Sequence, residues 1–152
     1  MDQATPETHI RVSDLTMAYG SFVIQRDLNF DVRRGDIFVI MGGSGCGKST
    51  LLKHMLGLIS PAKGDIAFNG QSFVHATDAQ REATRRRWGI TYQTGGLFSA
   101  MTLADNVALP LQLYTGYDRG EIADIVAYKL ALVGLAGYQD YYPSEISGGM
   151  RK

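Results

Sequence analysis

The chain has 152 residues, enough for one domain with a packed core. Its 15 acidic and 15 basic residues balance and charged residues make up 20% of it, which excludes a generic nucleic-acid binder and a charged interaction tail. Cys46 is the single cysteine and fits a reducing compartment, no apolar run approaches a membrane span, and "MDQATPETH" is too polar for a secretory signal.

Residues 1–8 read as an unstructured N-terminus. The segments 9–18, "HIRVSDLTMA", and 22–33, "FVIQRDLNFDVR", alternate apolar and polar residues and carry β-branched ones, which predicts two strands joined by a turn at Tyr19-Gly20-Ser21. After the turn "RRGD", the run "IFVIM" (37–41) has the continuous apolar character of a strand buried on both faces. A glycine-rich loop leads into "KSTLLKHMLGLI" (48–59), whose Leu51, Leu52, Met55, Leu56 and Ile59 predict one apolar helix face. "SPAKGD" is a turn and "IAFNG" a short strand.

Residues 78–87, "DAQREATRRR", predict a polar helix with Asp78 near its start and arginines near its end. "GITYQ" (89–93) predicts another strand. "TLADNVALPLQL" begins with a Thr cap, and Pro110 is expected to stop or kink the helix. "RGEIADIVAYKLALVGL" predicts an apolar-striped helix closed by glycines around 134–137. Strands dominate the first half and helices the second, with the shift near residue 95.

"GGSGCGKST" (42–50) fits the pattern G-x-x-x-x-G-K-[ST] through Gly42, Gly47, Lys48 and Ser49. Small residues let successive backbone N–H groups turn inward around a phosphate, and a helix starting at the end of the loop points its free N–H groups at the same anion. In this pattern Lys48 bridges the β- and γ-phosphates, Ser49 holds Mg²⁺, and Thr50 adds a hydroxyl near the α-phosphate. By chance the pattern arises in about one such chain in two hundred, and the apolar run before it and the amphipathic segment after it lower that further. Cys46 is either a small residue that fits a free position of the motif or a reactive thiol at a helix N-terminus.

With this loop in place, other stretches fall into line. The chain resembles the ATP-binding subunits of ABC transporters from residue 9 onward. The resemblance implies an α/β fold: a P-loop NTPase of ABC type with an N-terminal antiparallel β-subdomain and an incomplete parallel core sheet over 9–94. A helical subdomain follows over 95–152 and stops after the signature motif. Tyr19, 23 residues before Gly42, stands where the family stacks a ring on adenine. Gly42, Gly43, Ser44, Gly45, Cys46, Gly47, Lys48, Ser49 and Thr50 would form the ATP cradle. Gln93 in "ITYQTGG" matches the Q-loop glutamine that reaches Mg²⁺ and the attacking water. The catalytic residues carried by the chain are then Lys48 and Gln93, and the Mg²⁺ ligands Ser49 and Gln93.

"ISGGM" (146–150) resembles the signature motif, LSGGQ in the family, with Met150 in place of the final Gln. Through it Ser147, Gly148 and Gly149 would bind the γ-phosphate held by the opposite subunit of a head-to-tail homodimer. "SGGMRK", with "YQTGGLFSAMTLADNVALPL" upstream, is similar to the branch that drives phospholipid or organic-solvent-resistance transport. The implied partners are a transmembrane permease and a periplasmic lipid-binding component, with the ATPase peripheral on the cytoplasmic face of the inner membrane and no nucleic acid involved.

The resemblance also leads us to expect, after residue 152, a strand ending in a Mg²⁺-binding Asp, a catalytic Glu, a loop Asp and a switch His. His9, His54 and His75 do not substitute and read as surface or packing residues, and no Asp or Glu follows an apolar strand after residue 95. The chain therefore reads as a fragment without its general base, inactive and poorly folded or aggregation-prone alone. Arg85-Arg86-Arg87 reads as the basic last turn of a solvated helix, "YQDYYP" (138–143) as packing for the helical subdomain, and 94–117 as the permease-docking segment, with Phe98, Met101, Leu109 and Leu111 as groove or core residues. The alternatives are an ABC ATPase for a small polar solute, a short protein that binds ATP and docks on a partner without hydrolysis, and a P-loop protein outside the ABC family. The last leaves Tyr19, Gln93 and "ISGGM" as coincidences.

Overall fold

The computed structural model describes residues 7–93 and 95–152. Most of the expected unstructured N-terminus (1–6) and Thr94, expected at the edge of the core, lie outside the described residues. Glu7 and Thr8 are ordered: the Arg34 N–H donates to the Glu7 carbonyl at 2.9 Å, and Thr8 already belongs to the first strand. The chain divides into two compact units between Trp88 and Gly89.

In the first unit, β1 (Thr8–Tyr19) and β2 (Phe22–Arg33) form a hairpin across the two-residue turn Gly20-Ser21. β3 (Lys63–Phe68) takes the other edge of β1 and β4 (Gln71–Ser72) follows it, so the sheet order is β2-β1-β3-β4, antiparallel throughout. Val12, Leu15 and Met17 of β1 are all buried, although strict alternation would turn Leu15 outward. A bulge resolves this. Val12 pairs with Phe30 and Leu15 with Leu28, so Ser13 and Asp14 of β1 stand against Asn29 alone of β2.

Asp14 sits in the bulge with φ of 46°, its N–H donating to Asn29 Oδ1 at 2.9 Å. Gly64 is required opposite it, because a Cβ there would run into the Asp14 backbone. The bulge thus returns Leu15 and Met17 to the core face, where they join Leu51, Ile66, Phe68 and Phe73, with Trp88 packed alongside.

The helix α1 (Lys48–Met55) ends earlier than the apolar pattern implied. Gly57, with φ of 66°, closes it: its N–H donates to His54 O at 2.9 Å and the Leu58 N–H to Lys53 O at 2.9 Å. Leu51 and Leu56 are buried as the pattern predicts, Leu52 is exposed, and His54 is the inward-facing side chain at only 1% exposure. α2 (Asp78–Arg85) starts with a reciprocal capping box between Thr77 and Gln80. Arg85 is more than part of a solvated basic turn: its guanidinium lies over the Phe73 ring at 5.7 Å and donates to the Leu56 and Gly57 carbonyls at 3.4 Å, where α1 ends and a cation is favoured.

Two expected strands do not form. Residues 37–41 and 89–93 have no strand pairing among the described residues. A strand needs a neighbour to take its N–H and C=O groups, and the four strands of the sheet leave neither segment a partner. Ile37, Val39 and Met41 consequently stand 94%, 68% and 85% exposed, and Phe38 stacks on Phe30 at 5.2 Å.

In the second unit, α3 (Leu103–Tyr114) and α4 (Arg119–Leu132) pack through Leu103, Ala108, Val126 and Leu130, with Leu135 and Ile146 completing the cluster. Of the expected stop or kink at Pro110, the stop does not occur: α3 continues past it to Tyr114. The missing N–H deprives one carbonyl of its partner, and the turns before Pro110 are held by the buried Leu103 and Ala108. Thr115 ends it, its N–H and Oγ1 both donating to Leu111 O. The "YQDYYP" segment packs here: the carbonyls of Gln139 and Tyr141 accept from the first N–H groups of α3, those of Ala104 and Leu103 at 2.9 and 2.8 Å.

Candidate functional site

The loop 42–47 leaves the exposed run 37–41 and delivers the chain into α1. Gly47 is the N-cap, with φ of 98°, a conformation glycine adopts without the Cβ penalty. It is fixed by space as well, since a Cβ would lie 2.8 Å from Ile24 Cγ2. Gly45 also takes a positive φ, 79°, and a Cβ on Gly42 would meet Cys46 Sγ at 2.5 Å. No side chain caps α1 and no acidic residue lies in its first turn. Its leading N–H groups and the positive end of its dipole are therefore left for another acceptor.

Lys48 lies over this loop. Its ammonium donates to Gly42 O at 2.7 Å and Gly43 O at 2.8 Å, and lies 3.5 Å from Cys46 Sγ. The charge is thus held where an incoming anion meets it. Ser49 is exposed and Thr50 half-buried at the helix start.

The hairpin tip reaches the same place. Tyr19 and Phe22, paired across the turn, line one cavity of about 370 Å³ with Gly45, Gly47, Lys48, Ser49 and Thr50. Sequence inspection missed Phe22, which is 70% exposed. The signal was there: a two-residue turn makes the residue three after Tyr19 its cross-strand neighbour.

A nucleotide with Mg²⁺ suits this donor set. Among the described residues no cluster of three or more His, Cys, Asp or Glu could hold a metal by itself. The Ser49 hydroxyl at the start of α1 can nevertheless contribute to Mg²⁺, which keeps several waters and takes phosphate oxygens.

Gln93 and the segment 146–150 belong to the second unit. Gln93 is exposed in a turn closed by the Gly95 N–H on Tyr92 O at 3.0 Å. Ser147 opens a helical turn: its Oγ accepts from the Met150 N–H at 3.3 Å and its carbonyl from the Arg151 N–H at 3.1 Å. Gly148 and Gly149 have no positive φ, and a Cβ on either would meet nothing closer than 3.9 Å. The fold of this chain thus does not explain the two glycines.

Comparison with known proteins supplies the deciding observation: residues 25–152 match the family described as ABC transporter. The chain belongs to the ABC transporter family.

Among curated ABC relatives, the probable ribonucleotide transport ATP-binding protein mkl of Mycobacterium leprae is 42% identical over 143 residues, 94% of this chain and 41% of that protein. The intermembrane phospholipid transport system ATP-binding protein MlaF of Haemophilus influenzae is 41% identical over 94% of this chain and 54% of its own length. The methionine import ATP-binding protein MetN of Bordetella pertussis is 41% identical over 94% and 40%. The chain thus spans about half the length, or less, of the curated ABC proteins it matches.

The ABC-type fold is shared with solved structures. An ATP-binding cassette solved as a dimer in a post-hydrolysis state with ADP and Pi superposes with a TM-score of 0.83 at 25% identity, covering 93% of this chain and 65% of that one. The ATP-binding subunit of an ABC transporter gives 0.78 at 29% identity, covering 95% and 58%.

Proposed function

We propose that the chain carries the ATP site of an ABC transporter ATPase. The observation that carries this is the start of α1, uncapped by any side chain and overlain by Lys48. On arrival of ATP, Lys48 exchanges the Gly42 and Gly43 carbonyls for phosphate oxygens, and the backbone of Gly42, Gly43, Ser44, Gly45, Cys46 and Gly47 wraps the phosphates. Thr50 reaches the α-phosphate, and the adenine ring lies against Tyr19. Ser49 of the first unit and Gln93 of the second would be the Mg²⁺ ligands, and the ion when bound would neutralise charge developing on the phosphates. Lys48 and Gln93 are the groups of this chain that act in hydrolysis.

In the same proposal, residues 9–94 form the nucleotide core and 95–152 the helical subdomain. Two copies close head-to-tail, so that Ser147, Gly148 and Gly149 approach the γ-phosphate held by the other copy. Two glycines with room for a Cβ in their own chain fit an approach by something outside it. Among the described residues no helix is long and apolar enough to cross a membrane, which fits a peripheral subunit on the cytoplasmic face working with a transmembrane permease.

Phospholipid is the proposed cargo, supported by the likeness to MlaF, and it brings in a periplasmic lipid-binding component. The equal identity to a methionine import protein favours one alternative, a small polar solute. Stimulation of ATPase activity in the reconstituted transporter by phospholipid but not by methionine would separate the two.

The ATP site is tested by titrating a fluorescent ATP analogue with and without Mg²⁺. Lys48→Ala should weaken binding about tenfold to a hundredfold, the loss of one charge-assisted contact worth roughly 1.5–3 kcal/mol. Unchanged affinity in that variant would sink the proposal.

A further inference from the structure

The first unit contains a second polar cavity that shares no lining residue with the one at the phosphate loop. Its volume is about 640 Å³, within the span of small-molecule sites. His9 enters it from the start of β1, Arg34 from just beyond β2, Asn69 from the β3–β4 turn, and Gln80, Arg87 and Trp88 from α2 and the residues after it.

Asn69 organises the site. It takes φ of 50°, a left-handed conformation that asparagine tolerates better than most residues. From there its Oδ1 accepts from Arg34 at 3.0 Å and from His9 Nδ1 at 2.8 Å. Arg34 can only donate, so the acceptor is fixed as the amide oxygen, and the proton of His9 lies on Nδ1. One atom thereby anchors two nitrogen-rich side chains at the rim of one cavity, leaving His9 Nε2 and the remaining guanidinium donors of Arg34 uncommitted to it. Arg87 adds a second guanidinium, and among the described residues no carboxylate lines the cavity. The ion-pair partner of Arg34, Glu7 at 3.7 Å, is exposed and outside the lining. Two guanidiniums with no lining acid make a site for an anion.

The remaining wall is aromatic. Trp88 is half-buried and braced by Phe68 at 4.7 Å and Phe73 at 5.2 Å, so its indole is held as a rigid face. Phe68 itself also lines the cavity. A fixed aromatic face beside paired guanidiniums matches a ligand that is planar at one end and negatively charged at the other. We propose that this cavity binds a small aryl anion, a phosphate or carboxylate on a planar ring, at a site separate from the nucleotide cradle.

Trp88 is the only tryptophan in the chain, so its fluorescence reports on this cavity directly. The full chain is titrated with phenyl phosphate, with inorganic phosphate and with benzyl alcohol as the uncharged ring. A saturable change with phenyl phosphate is expected, at least about tenfold tighter than with either single-feature probe. Arg34→Ala combined with Arg87→Ala should weaken it by a further tenfold or more, the loss of charge-assisted contacts. Arg87→Lys should retain most of it, with circular dichroism reporting on folding in each variant. Lys48→Ala should leave it unchanged, which separates this site from the nucleotide cradle. A response that is not saturable, that benzyl alcohol reproduces at equal affinity, that survives the double Arg variant, or that disappears with Lys48→Ala would overturn the proposal.

Discussion

The four α-helices among the described residues begin in two different ways. α2, α3 and α4 start on Thr77, Thr102 and Asp118, each accepting from the N3 backbone while the N3 residue, Gln80, Asp105 or Glu121, reaches back to the cap N–H. α1 starts on Gly47, which has no side chain to offer. A reciprocal cap satisfies two orphan donors and stabilises the helix by about 1 kcal/mol. Forgoing it at one helix leaves the leading N–H groups ready for an anion, at a cost in stability that the ligand can offset. Three helices close their starts with side chains, and the one proposed to bind phosphate leaves its start open.

The comparison breaks most sharply at Gly47. Gly47→Ala forces a Cβ into Ile24 and an L-residue into φ of 98°, costing roughly 1–2 kcal/mol from the backbone alone. Loss of detectable binding of the fluorescent ATP analogue is expected, and wild-type affinity would show that the loop geometry is not what holds phosphate. The capped helices should respond in the opposite sense. Thr102→Ala and Asp118→Ala are each expected to lower unfolding free energy by about 1 kcal/mol in denaturant titrations while leaving nucleotide affinity unaltered. A change in affinity in either would erase the distinction between closed and open helix starts.

A smaller effect sits at the other end of α1. His54 Nδ1 pairs with Ile59 O at 3.0 Å and Nε2 has no partner among the described residues. Burial holds its pKa below the ordinary value of 6.5, with the Ile59 hydrogen bond opposing in part. The unfolded chain therefore takes up this proton more readily than the folded one. The contribution of His54 is complete above pH 6.5 and is lost as pH falls below that towards the folded value. Thermal unfolding midpoints should drop on acidification through this window, and His54→Gln should flatten the slope. An identical slope in the variant would remove His54 as the source.

Much of this was legible because it is local. The β1–β2 hairpin, the Thr102 cap, the turn at Ser147 and the loop 42–50 each follow from residue types at fixed short spacings. The bulge at Asp14 was not, because it depends on Asn29 fifteen residues away and on Gly64 in another strand. For His54 the sequence left surface and packing both open, and only the packing of α1 turned it inward. The cavity between Asn69, Arg34 and Trp88 is assembled from four separate segments, and no short spacing announces it.

By itself the sequence determined the chemistry that α1 presents, because a phosphate cradle is made by consecutive residues whose backbone freedom and charge are intrinsic. It also determined the apolar character of "IFVIM" and "GITYQ". Whether those runs become strands was decided only by tertiary structure, since extended backbone is held by the strand beside it and not by its own side chains.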